Sequence, residues 1–258
     1  MASEEQSTGG PSSEGQGTET PSRESGISRA IGAIVSPRQT FESIARRPTW
    51  LFPVLLVIIL NVVLLFSFSH RVGWRATIEK QMATSSRMAQ LTPQQQQQAM
   101  ARAERIAPIG AAAGATIGFV IILLAMSLIF LGAFNIIFGA GIRFKQSVSI
   151  TAYAFMPGAL RGLLGLLIVW VRPPEGVTLQ NLVMSNVGAF LPTGVPAWLQ
   201  ALGSSLDIFT FWSMALLAVG FAAAGAARKV RFGSALAVIV SIWLVYLLGL
   251  VGVTAMFG

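Results

Sequence analysis

The stretch GAAAGATIGFVIILLAMSLIFLGAFNIIF, residues 110–138, decides how the chain must be read. It carries no ionisable side chain, and Gly110, Gly114 and Gly118 fall on one face of the helix it would form. In water each of these glycines would weaken that helix by about 1 kcal/mol relative to alanine. In lipid the spacing makes sense, because apolar helices gain little there from burying leucine against leucine and associate through close backbone approach at small residues. Crossing ~30 Å of hydrocarbon takes about 20 residues at 1.5 Å each, and the run is long enough.

Working outward, the whole chain fits a bilayer solvent: of 258 residues, 53% are apolar and only 11% charged, with a mean hydropathy of +0.67. Four further apolar runs bring the expected spans to about 51–69, 113–138, 148–171, 206–226 and 234–257. The fold class expected is an all-α integral membrane protein, a compact bundle of five transmembrane helices with short interfacial helices and a disordered N-terminal tail. The tail is residues 1–26, rich in Ser, Gly, Glu, Thr and Pro and lacking the basic and apolar regions of a signal peptide. The membrane domain is 27–258. Smooth faces at Gly110, Gly114 and Gly118 and at Gly158, Gly162 and Gly165 are expected to pack spans within this chain, with a homo-oligomer contact as the alternative.

The formal charge of +8 hides a division, since the tail holds five glutamates against one arginine and the rest of the chain therefore carries +12. That excess belongs beside lipid headgroups. Arg143, Lys145, Arg228, Lys229 and Arg231 crowd two short loops, whereas 172–205 holds Arg172 alone, so the basic loops are expected to be cytoplasmic, the N-terminus inside and the C-terminus outside. Residues 70–112, placed outside by this count, run against the rule with six basic residues and two glutamates.

Two helix starts are explicit. In SPRQTFESIARRP, Ser36, Pro37 and Gln39 begin a short helix of about 37–46 whose Phe41, Ile44 and Ala45 share one side, as suits a segment lying on the membrane surface. In TPQQQQQAMARAERI, Thr92, Pro93 and Gln95 form a second capping-box pattern, predicting a helix of about 93–107.

Chemistry-bearing motifs are sparse. There is no cysteine and one histidine, His70, and no zinc-protease, nucleophile-elbow or Walker-type motif is present. No catalytic residue, cofactor or metal site is expected, and the basic residues are strung along membrane borders rather than gathered in a patch for nucleic acid. Arg161 stands out as the one charge well inside a span, where insertion costs at least ~2.5 kcal/mol. It needs Asp207 at the start of the fourth span, a polar pocket, or carbonyls freed by a break at Pro157. Asn61 and Asn135 can bond between helices. A broken helix with an intramembrane charge also suits a small-molecule or ion carrier.

SPRQTFESIARRPTWLFPVLL before and into the first span, SVSITAYAFMPGAL in the third, and LDIFTFWSMALLAVGFAAAG followed by a basic turn and SIWLVYLLG together resemble the Yip domain family of five-span membrane proteins. The resemblance covers roughly residues 27–258. Eukaryotic members bind Rab-type GTPases and act in vesicle traffic, and the resemblance implies a scaffold or membrane-organising role with a membrane-protein partner. This chain lacks the Asp-Leu-Tyr-Gly-Pro segment of those members, which counts against GTPase binding and points to the prokaryotic branch and a cytoplasmic membrane.

Overall fold

The structure, a computed structural model, describes residues 25–83, 90–175, 177, 179, 182–192 and 194–257. The expected disordered tail therefore lies outside the described residues except at its end, where Ser25 accepts a hydrogen bond from the Ser28 N–H and caps a helix, α1 (Gly26–Val35). α2 (Pro37–Arg46) starts at the proline, as its sequence predicts. There follow α3 (Leu51–Arg71), α4 (Arg75–Ala83), α5 (Pro93–Phe138), α6 (Phe144–Ala154), α7 (Met156–Val171), α8 (Ala197–Ser205), α9 (Ile208–Ala224) and α10 (Phe232–Phe257).

Among the described residues four apolar helices have the length to cross a membrane: α3, α5, α6 run on into α7, and α10. The fourth expected span, α9, has 17 residues, about 25 Å at 1.5 Å per residue, slightly less than the hydrocarbon thickness. It sits in the middle of the bundle. Leu216, Leu217, Ala218 and Phe221 are buried, and α2, α6, α7 and α10 surround it.

The core forms where α9 meets α5 and α6. Phe221 stacks on Phe134 with ring centroids 4.5 Å apart, and Ile150 and Tyr153 close the layer. α2 contributes to it directly, correcting the expectation of a segment lying on the membrane surface. Phe41 and Ile44 are fully buried, and a Cβ at Gly220 of α9 would run into Ile150 and lie 2.8 Å from Phe41 Cδ1. The apolar face of α2 is thus spent on protein. α1 locks it in place through buried Arg29, which donates to Arg47 O at 2.8 Å, Thr49 Oγ1 at 3.0 Å and Ser43 Oγ at 3.1 Å.

α5 corrects a second expectation. Its capping box forms, with Thr92 N–H on Gln95 Oε1 at 2.9 Å, but the helix does not stop near 107. It runs unbroken through Pro108 for 46 residues, about 69 Å. Pro108 removes one backbone hydrogen bond and no more, because the helix on either side is long enough to hold its course. The first turns of α5 are held by α4: Met100, Ala103 and Ala107 pack on Trp74 and Ile78, and Arg75 lies 2.9 Å from Glu79 and 4.0 Å from Glu104. Both carboxylates raise the Arg75 pKa, Glu79 most, chiefly by its hydrogen bond.

Candidate functional site

Asp207 stands before an apolar run, the position an N-cap takes. Its Oδ1 accepts from the backbone N–H of Phe209 at 2.8 Å and of Thr210 at 3.3 Å, and its Oδ2 accepts from Ser185 Oγ at 2.5 Å. The segment before α9 folds back to make this possible: Val187 N–H bonds Leu206 O and Ile208 N–H bonds Ser185 O, both at 3.2 Å, pairing Asn186 with Asp207. Gly203 of α8 lies so close to Gly188 that a Cβ there would come 2.9 Å from the Gly188 nitrogen. The Asp207 side chain is only 3% exposed.

Arg161 lies on α7, just past the interruption of the third apolar run. The interruption falls at Phe155, whose φ of −86° and ψ of 4° leave the helical range. Pro157 is therefore in the first turn of α7, where a missing N–H is harmless. Arg161 Nη1 is 3.5 Å from Asp207 Oδ2. Among the described residues its guanidinium makes no hydrogen bond to the carbonyls near Pro157. The sequence offers Arg161 a pair with Asp207, a polar pocket or the carbonyls near Pro157, and the structure puts it 3.5 Å from Asp207 at the wall of a cavity.

Arg161 faces a cavity of about 1390 Å³ walled by α3, α5, α7, α9 and α10 and by the segment before α9. Ser204, Ser205, Asp207, Thr210 and Ser213 of α8, α9 and the residue between them line it on one side with Arg161, and Asn61 of α3 and Ser241 and Tyr246 of α10 add further polar groups elsewhere on the wall. Toward α5 and α10 the wall is mostly apolar, with Phe119, Ile122, Phe130 and Ile242 among its residues. α5 and α10 touch each other at few points, whereas α10 packs closely on α8 and α9. Among the described residues no cluster of His, Cys, Asp or Glu is placed to hold a metal ion.

Most of the groove glycines meet no other helix closely among the described residues. Among the described residues a Cβ at Gly110, Gly114, Gly118, Gly158 or Gly162 would meet nothing within 4 Å, and of the six only Gly165 has a neighbour, Leu182 at 3.1 Å. For Gly158 and Gly162 the physical reason is the cavity, whose wall they form. Small residues there keep space open where they were expected to close it. Nor do the two asparagines link spans: Asn61 donates to Val57 O in its own helix at 3.0 Å, and Asn135 exchanges two hydrogen bonds with Ile142 to close the turn after α5. Ser185, Thr210 and Ser213 belong to the site, and no sequence signal singled them out, because the fold-back that gathers them is not periodic.

No curated protein and no solved structure matches the chain. The Yip1 domain family model matches residues 31–253. That match takes in α2, the interrupted third run, Asp207 and the cavity walls, and it agrees with the motifs at the first, third and fourth apolar runs, so this integral membrane protein belongs to the Yip1 domain family.

Proposed function

We propose that the protein is a non-enzymatic, membrane-organising factor of the Yip type that works by holding a guest from the bilayer inside its bundle, with its N-terminus cytoplasmic and its C-terminus outside. The cavity carries this reading. A space of about 1390 Å³, open to the outside of the bundle, exceeds the ~300–1,000 Å³ of most small-molecule sites, and its walls are mostly apolar. Water would be poorly accommodated on most of that surface, and an acyl chain well. In native mass spectrometry of the detergent-solubilised protein, retained lipid should appear as added mass, and Gly162→Leu, which fills the wall, should remove it. A chain that retains no lipid under conditions that preserve its fold contradicts the proposal.

A second reading, a small-molecule or ion carrier, is favoured by the interruption at Phe155 lying beside Arg161, since transporters use broken helices and intramembrane charges at their sites. Uptake of a labelled solute by proteoliposomes, lost in Arg161→Lys without loss of stability, would select the carrier.

A further inference from the structure

Resting on the reading of the cavity as a guest site, we infer that the guest is a phospholipid of the surrounding bilayer, and that Arg161 is the group that holds its phosphate. Two carboxylate oxygens and three neighbours settle the account of Asp207 without the arginine: Ser185 and the N–H groups of Phe209 and Thr210 already satisfy it. Arg161 gains from it one contact at 3.5 Å. A guanidinium has five donors in a planar fork that matches a phosphate's oxygens two at a time. With a side chain 40% exposed, Arg161 presents that fork to the cavity, whereas Asp207, at 3%, lines it with little exposed surface. A guest arriving at this corner therefore meets the positive member of the pair.

The surroundings choose among anions. The hydroxyls of Thr210 and Ser213 line the cavity and have no hydrogen-bond partner among the described residues, so they too can donate to a bound oxygen. A free inorganic anion would use this corner and leave the apolar α5 and α10 sides in contact with water. A lipid without a phosphate, such as a diacylglycerol, would cover those sides and leave most of the guanidinium's donors unsatisfied, at the cost a half-buried charged donor carries. A phospholipid satisfies both, its phosphate at Arg161 and its chains leaving toward the bilayer where α5 and α10 scarcely touch. The positive end of α9 is not the anchor, because Asp207 already caps it.

The test uses the full-length protein in neutral detergent, titrated with phosphatidylglycerol and with diacylglycerol of identical acyl chains, retained lipid being read by native mass spectrometry. Phosphatidylglycerol should bind at least about tenfold more tightly, as one charge-assisted contact provides. Arg161→Gln should bring it down to the level of diacylglycerol, and Arg161→Lys should keep part of the preference. Equal retention of the two lipids, or a preference that survives Arg161→Gln, overturns the phosphate assignment and leaves the guest site standing. Should Arg161→Gln not fold, Asp207→Asn serves instead. It keeps the cap, removes the competing carboxylate and should sharpen the preference, and a weakened preference overturns the assignment. Gly162→Leu leaves Arg161 untouched and has room for its side chain. It should lower retention of both lipids, and unchanged retention overturns the guest site itself. Inorganic phosphate that competes as well as the lipid does overturns the bilayer as the source.

Discussion

Removing the Asp207 carboxylate separates three contributions that meet on one side chain. The N-cap to Phe209 and Thr210 is worth about 1 kcal/mol. The 2.5 Å bond from Ser185 to a charged acceptor is worth about 1.5–3 kcal/mol. The ion pair, at 3.5 Å with a guanidinium 40% exposed, adds no more than about 1 kcal/mol once screening is allowed for. The cap and the serine bond therefore outweigh the charge pair. Asp207→Ala should destabilise the protein by about 3–4 kcal/mol, and Asp207→Asn, which can keep the cap and accept from Ser185, by about 1 kcal/mol. Reversible unfolding in mixed micelles titrated with dodecyl sulfate measures both. In the cycle with Arg161→Ala the coupling should stay below about 1 kcal/mol. If asparagine proves as damaging as alanine and the coupling approaches the full loss, the charge pair dominates and the reasoning is refuted.

Gly114→Leu should leave thermal stability unchanged or raise it slightly, because its face is open and leucine is the better helix former, whereas Gly220→Ala should lower it by about 1–3 kcal/mol through overlap with Ile150 and Phe41. Loss of a cross-linked dimer in Gly114→Leu at unchanged stability would mark that face as a contact between copies. Phe41→Ala should cost about 3–5 kcal/mol if α2 is core and little if it lies on the membrane surface; thermal unfolding distinguishes them. Fusions of a reporter active only outside the cytoplasm should be active after residue 90 and at Gly258 and silent after Arg231; the reverse pattern overturns the orientation.

Length and polarity made the apolar runs readable, and local hydrogen-bonding chemistry made the starts at Pro37 and Pro93 readable, because both signals reside in neighbouring residues. What α2 packs against did not reside there: its amphipathic pattern fits lipid and protein equally, and only the glycine at 220 on a distant helix makes room for Phe41. α1 was hidden by the tail's composition, which runs up to the very residue where the helix begins. The helix predicted over about 93–107 and the apolar run from 113 were legible separately, but not their union, because a capping signal is local while persistence of the helix depends on the turns beyond it. At the site, the charges of Arg161 and Asp207 were conspicuous in an apolar sequence. The short α9 and the fold-back that bring them together were not, since both depend on how the segment 182–206 packs on α10 and on itself.

The uninterrupted α5 has a mechanical consequence. One end is clasped by α4 around Met100 and Ala103, and residues near the other, from Phe119 to Phe130, form a wall of the cavity. No loop separates them, so a displacement at Pro93 would be carried along one continuous helix as tilt at the cavity wall, on the side where α5 and α10 touch at few points. The compliant point is Pro108, one hydrogen bond short, so the stiffness of that single turn sets how much of any motion beyond the membrane is felt within it.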